Sequence, residues 1–205
     1  MSSPTQRRKR PSKKTFPEFV AEVEEAHPHA KVEIWAFDEH RIGLLPISGR
    51  VWAKKNSSPV RPVETRYQWL YLYGFVQPQT GRTYFLSLPR MNAALYNQGL
   101  SDFAKAVGAG LHRRIVLVVD GAGSHRSHDL VVPEGLHLLT LPPYSPELQP
   151  AERLWSLTNE PLLNRHFVNL SELEAVQQER CATLATMQDE VRGRALFHWW
   201  AIVAK

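Results

Sequence analysis

The chain has 205 residues, 43% of them hydrophobic and 22% charged, a balance that excludes wholesale disorder and fits one principal domain. No apolar run approaches the ~18–20 residues needed to cross a bilayer, and no apolar segment follows the charged N-terminus as a secretory signal requires. A single cysteine, Cys181, excludes a disulfide framework and a multi-cysteine zinc module. A cytoplasmic protein is the expectation.

The net charge of +5 is unevenly placed. Residues 1–14 carry six basic side chains and no acid, which leaves 19 basic against 20 acidic residues elsewhere. A basic, aperiodic tail of this kind is expected to be disordered and to bind phosphate polyanions without reading sequence. Residues 41–66 hold six basic residues against Glu64 alone, inside the part expected to fold.

In chain order, residues 15–30 read as a short helix, with Phe16, Phe19, Val20 and Val23 at helical spacing. A strand follows at 32–37 and runs into Asp38 and Glu39. Residues 41–66, rich in Pro, Ser and basic residues, read as a strand edge and an ordered loop. The aromatic stretch 68–77 and residues 82–88 form a hairpin about the turn at 78–81. Helical spacing covers 92–107. The continuous apolar run 115–119 has the character of a strand buried on both faces. A short helix is expected from Ser124, a strand over 136–141 and a helix beginning at Gln149-Pro150. Two further helices are expected between 171 and 203. The domain plan is therefore a tail (1–14), a short helix (15–30) and a body (31–205). Its fold class is α/β, a mixed five-stranded sheet flanked by helices.

Three acids stand at element ends. Asp38 closes the first strand, Asp120 closes the run 115–119, and Glu152 opens the helix after a Pro-rich bend. Ligand sites of α/β sheets form at the carboxyl ends of strands, where two such Asp side chains converge if the strands are neighbours. Carboxylates are hard ligands for Mg²⁺ or Mn²⁺, and two such ions can serve phosphoryl transfer. Each acid also has an ordinary explanation, as a turn cap for the aspartates and as an N3 residue for Glu152. Glu39 and Asp129 compete with them on spacing alone.

The words around the acids are more specific. Phe37-Asp38-Glu39-His40-Arg41, then Val118-Val119-Asp120-Gly121-Ala122-Gly123, then residues 141–155 (LPPYSPELQPAERLW) resemble the DDE transposases of the IS630/Tc1-mariner type over roughly residues 35–167. The resemblance implies an RNase H-like fold and two-metal (Mg²⁺ or Mn²⁺) cutting and joining of DNA, with Asp38, Asp120 and Glu152 as catalytic metal ligands. It selects Asp38 over Glu39. It also implies DNA partners (transposon ends and target DNA), insertion at TA dinucleotides and oligomerisation on DNA. Three departures stand out. Gln149 replaces the usual Asn before Pro150, a change expected to weaken the helix cap. Only 31 residues separate Asp120 from Glu152. About 30 residues precede the first strand, too few for the usual helix-turn-helix modules, so end recognition is expected either from a separate helix-turn-helix polypeptide or not at all in this copy.

Other motifs point elsewhere only weakly. His125 and His128 lack a second ligand pair for zinc, and Arg126 stands where a dinucleotide loop needs its third glycine. His125 is instead expected near the catalytic edge, contacting DNA phosphate. Arg41, Arg50, Trp52, Lys54 and Lys55 are the other candidates for DNA contact. The cluster Phe197-His198-Trp199-Trp200 reads as core or interface rather than as a base-stacking surface. The functional expectation is an insertion-sequence transposase domain acting at the bacterial nucleoid. The alternatives are a non-catalytic DNA-binding remnant and a host RNase H-like nuclease.

Overall fold

The computed structural model describes residues 15–60, 65–120, 129–142, 148–198 and 200. The tail 1–14, the helix expected from Ser124 and the candidate His125 lie outside the described residues.

Helix α1 (Phe16–Ala26) begins with a capping box in which the Glu18 side chain accepts from the Thr15 backbone N–H at 2.8 Å. The strands are β1 (Lys31–Gly43), β2 (Trp69–Gln77), β3 (Arg82–Leu88), β4 (Arg113–Val119) and β5 (Leu136–Thr140). They form one sheet in the order β3-β2-β1-β4-β5. The hairpin β2–β3 and the pair β1–β2 are antiparallel, while β1–β4 and β4–β5 are parallel. This is the mixed five-stranded sheet that the sequence predicts.

Strand alternation divides the core in two. Ile34 and Ala36 of β1 join Val116 and Val118 of β4 on one face, covered by α1, α3 (Leu154–Thr158), α4 (Leu170–Thr186) and α5 (Gln188–Ala195). Trp35 and Phe37 point the other way, onto α2 (Ala93–Val107). There Phe103 stacks on Phe75 at 4.1 Å and meets Trp35 edge-on at 5.2 Å. Asn92 caps the start of α2 and Gly108, at φ 70°, closes its end. Residues 115–119 are fully buried, as helices on both sides of a parallel pair require; each such side chain contributes about 1.5–3 kcal/mol. Trp200 is fully buried against Phe16, and Phe197 packs against the same core cluster.

Two boundaries differ from the sequence reading. Strand β1 continues to Gly43, because β2 pairs with it from Ala36 through Gly43 and satisfies the backbone of a stretch that looks polar. The helix expected at Gln149-Pro150 starts as a 3-10 turn (Pro150–Arg153) before α3. Gln149 does cap this turn, accepting from the Ala151 N–H at 3.4 Å, and its Nε2 donates to the Phe37 carbonyl at 2.9 Å. The substitution for Asn therefore ties the turn to β1. Among the described residues, no helix is long and apolar enough to cross a membrane.

Candidate active site at the carboxyl ends of β1 and β4

The last parallel pair of β1 and β4 is Ala36 with Val118. Two residues further along each strand stand Asp38 and Asp120, on the face shared with Ala36 and Val118. Beyond that point β4 has ended while β1 runs on against β2, so Asp38 sits where the sheet opens. Burial raises the Asp38 carboxyl to about 7, and the charges of Glu39 and Asp120 push in the same direction. The two aspartates are thus electrostatically coupled.

Two donors oppose that shift, the Trp155 indole first and the Glu39 backbone N–H second. The Trp155 indole Nε1 donates to Asp38 Oδ2 at 2.8 Å. Trp155 can reach there because Gly74, paired with Asp38 across β1–β2, has no side chain; a Cβ on Gly74 would lie 2.7 Å from the Trp155 ring. On its other side the indole stacks with His40, centroids 4.8 Å apart and planes 16° from parallel. His40 Nε2 is in turn 3.0 Å from Asn159 Oδ1. Burial lowers the His40 pKa, so the ring is neutral near pH 7 and Nε2–H donates to the amide. None of Trp155, His40, Asn159 or Gly74 stands out as a site residue on sequence reading. The available signal was Trp155 itself, one helical turn beyond Glu152 in the same motif.

Glu152 is exposed on the 3-10 turn, whose neighbours Ala151 and Leu154 are buried with Ile34, Ala36 and Val118. Among the described residues, no three His, Cys, Asp or Glu side chains are gathered closely enough to hold a metal ion. The structure thus brings Asp38 and Asp120 together and places Glu152 on the element packed beside them. The donor set is nevertheless chemically suited to a hard divalent cation: carboxylates only, one of them part-buried with a raised pKa that a cation would reverse.

The competing acids separate by geometry. Glu39 pairs with Tyr73 and points to the α2 face, where its charge raises the Tyr73 and Tyr96 hydroxyls after burial. Asp129 lies beside α2, its carbonyl accepting from Asn97 Nδ2 at 2.8 Å. Burial pushes the Cys181 thiol up to about 11, so it is no nucleophile at neutral pH.

Of the DNA-contact candidates, Arg50, Trp52, Lys54 and Lys55 are exposed on the segment after β1. The near end of that segment is tied down. Asn164 Oδ1 accepts from Gly49 N–H at 3.0 Å and its Nδ2 donates to the Gly49 carbonyl at 3.1 Å. Arg41 lies over the Trp69 ring at 5.3 Å.

A five-stranded mixed sheet in this order, with two acids at the carboxyl ends of its central parallel pair, is the RNase H-like arrangement. A sequence model of the DDE superfamily endonucleases matches residues 33–174, and the chain belongs to that family. The uncharacterized protein y4pE/y4sA of Sinorhizobium fredii is 35% identical over 106 residues, covering 51% of this chain and 77% of that protein. The catalytic domain of Mos1 mariner transposase superposes with a TM-score of 0.51 at 16% identity, covering 93% of this chain and 91% of that one. The Mos1 mariner paired end complex with Mn gives 0.59 at 17% identity, and the Mos1 strand transfer complex 0.57 at 18%. Each covers 93% of this chain, which spans about 60% of the Mos1 chain in those two complexes. At these identities the structural matches establish a shared fold.

Proposed function

We propose that this chain is the catalytic part of a mariner-type transposase, cutting DNA at transposon ends and joining the freed ends to target DNA. The observation that carries the reading is the coupled pair Asp38 and Asp120 at adjacent strand ends, inside the region matched to the DDE endonucleases. Asp38, Asp120 and Glu152 would hold two Mg²⁺ or Mn²⁺ ions. When bound, such ions activate an attacking oxygen and stabilise the leaving one. The Mos1 complexes crystallised with Mn and with Mg support the choice of metal.

The chain's own residues supply position and charge. Trp155 occupies one lone pair of Asp38 Oδ2 and so orients the carboxylate, with the Glu39 backbone N–H as a second donor to it. His40 and Asn159 hold the indole flat. Arg41, Arg50, Lys54 and Lys55 neutralise DNA phosphates approaching the strand ends, with Trp52 available for stacking. His125 belongs to the same proposal as a phosphate contact next to Asp120. The paired end and strand transfer complexes of Mos1 support a homo-oligomer on DNA. End recognition would come from a separate helix-turn-helix polypeptide, and the site of action would be the nucleoid.

The test is incubation of the purified chain with Mg²⁺ and three substrates: DNA carrying the element's ends, a target plasmid, and an RNA–DNA hybrid. Metal-dependent nicking of both DNA substrates without preference for the element's ends is expected, with the freed 3′-ends joined to the plasmid. Hybrid hydrolysis without joining would favour a host nuclease, and inactivity on all three would favour a non-catalytic remnant.

A further inference from the structure

Two histidines meet between helix α1 and the outer strand β5. The ring of His137, on β5, lies 5.4 Å centroid to centroid from that of His27, which caps the C-terminus of α1. His137 is on the face of the sheet that α1 covers, with Leu139 of its own strand and with Val116, its partner across β4–β5. Arg114 stands two residues before Val116 on that same face and is only 8% exposed.

The charged surroundings of His137 are all basic. His27 from α1 and Arg114 from β4 act on the ring, and both disfavour its charged form. β5 carries no other titratable side chain, and β1, beyond β4, sets Val32 beside Arg114. Among the described residues no carboxylate acts on His137, and neither His137 Nε2 nor Arg114 Nε has a hydrogen-bond partner. Burial acts first and the two neighbours add to it, so the His137 pKa lies below its ordinary value of 6.5 and the ring is neutral near pH 7.

A proton on His137 therefore sets a second charge beside Arg114 with no anion to balance it. Moving β4 or β5 to relieve this would break the ladder that joins them. Helix α1 is held differently, through the packing of Phe16, Phe19, Val20 and Val23. Its departure takes His27 away and admits water to the ring. We propose that α1 is an acid-released cover: protonation of His137 undocks it from β4 and β5 while the sheet stays folded, baring Val20, Val23 and the strand face beneath them. His137 is the sensor, Arg114 the fixed charge and His27 the group that leaves. The docked state binds the proton more weakly than the undocked one, so docking is strongest above pH ~6.5 and weakens as pH falls below it. The inference does not depend on the proposed function.

Amide hydrogen exchange of the full chain, followed from about pH 7.5 to about pH 5 and corrected for intrinsic rates, tests it. One proton taken up on release lowers the protection of residues 16–26 by up to about tenfold per pH unit below 6.5, while residues 115–119 keep theirs. Asp38 and His40 stay in the folded part, so their titrations do not enter. His137→Gln, which cannot charge, should flatten the response, and Arg114→Gln should reduce it. Protection of α1 that is constant with pH, a fall that persists in His137→Gln, or a fall shared by residues 115–119 would overturn the proposal. Should His137→Gln fail to fold, an undiminished response in Arg114→Gln overturns it alone.

Discussion

Trp155 and Asp38, 117 residues apart, are joined by a 2.8 Å hydrogen bond from the indole Nε1 to Oδ2. The contact links the start of α3, and with it the turn carrying Glu152, to the end of the parallel strand pair. Trp155→Phe keeps the ring over Gly74 and removes only the donor. The expected result is a loss of about 1–2 kcal/mol in unfolding free energy at pH 8, and a further rise of the Asp38 pKa. Chemical denaturation and carbonyl NMR titration of Asp38 measure the two effects; an unchanged Asp38 titration would mean the bond does not orient the carboxylate.

Gly74→Ala should be costly for a steric reason. Its Cβ would lie 2.7 Å from the Trp155 ring, so the ring must shift and its bond to Asp38 lengthen. A destabilisation of about 1–3 kcal/mol is expected. Combined with Trp155→Ala, the cost of Gly74→Ala should largely vanish, because the clashing ring is gone. Additive costs in this double-mutant cycle would place the strain elsewhere.

Asp38 should contribute a loss of stability to the metal-free chain as pH rises from 4 to 8. It is read as the difference between the wild type and Asp38→Asn, because the lowered pKa values of His40 and His137 act in the opposite direction. Asp38 has an ordinary pKa of 3.8, and burial, with the Glu39 and Asp120 charges, raises it to about 7 in the folded chain. A raised carboxyl favours the folded state while protonated. That contribution is complete below pH ~4 and is lost through pH 7, amounting to at most about 4 kcal/mol. Asp38→Asn removes that contribution and should be more stable than the wild type at pH 8. Saturating Mg²⁺ should stabilise the wild type there and leave Asp38→Asn unmoved. Thermal melts across the pH range, with and without Mg²⁺, decide it.

The triple variant Arg50→Ala/Lys54→Ala/Lys55→Ala should weaken DNA binding without affecting the fold, since all three side chains are exposed. Three lost phosphate contacts reduce the slope of log K against log salt by about 2–3. An unchanged slope in fluorescence-anisotropy titrations would remove this segment from the DNA surface.

Much of the fold is legible in the sequence because it rests on local pattern. The apolar run 115–119 marks the buried parallel strand, and the hairpin 68–88 is marked by its turn and its aromatic content. The extension of β1 to Gly43 is not legible, since DEHRIG looks polar until β2 is known to cover it. The three candidate acids are picked out by their motifs, whereas the residues around them are not. The contacts of Asp38 with Trp155, and of His40 with Asn159, span more than a hundred residues and depend on tertiary packing. Gly74 matters only for the side chain it lacks. Thr83 Oγ1, Ser87 Oγ and Gln177 Oε1, buried without a hydrogen-bond partner among the described residues, likewise belong to residues that read as ordinary polar ones until burial is known.

The central claim is that Asp38, Asp120 and Glu152 act as one catalytic set on DNA. Nicking of supercoiled plasmid in Mg²⁺, compared across the wild type, Asp38→Asn, Asp120→Asn and Glu152→Gln, tests it most directly. The account predicts nicking by the wild type that EDTA abolishes, and a loss of at least about 100-fold in each variant at unchanged melting temperature or higher. Nicking that survives any one of the three substitutions, or that persists in EDTA, would contradict it.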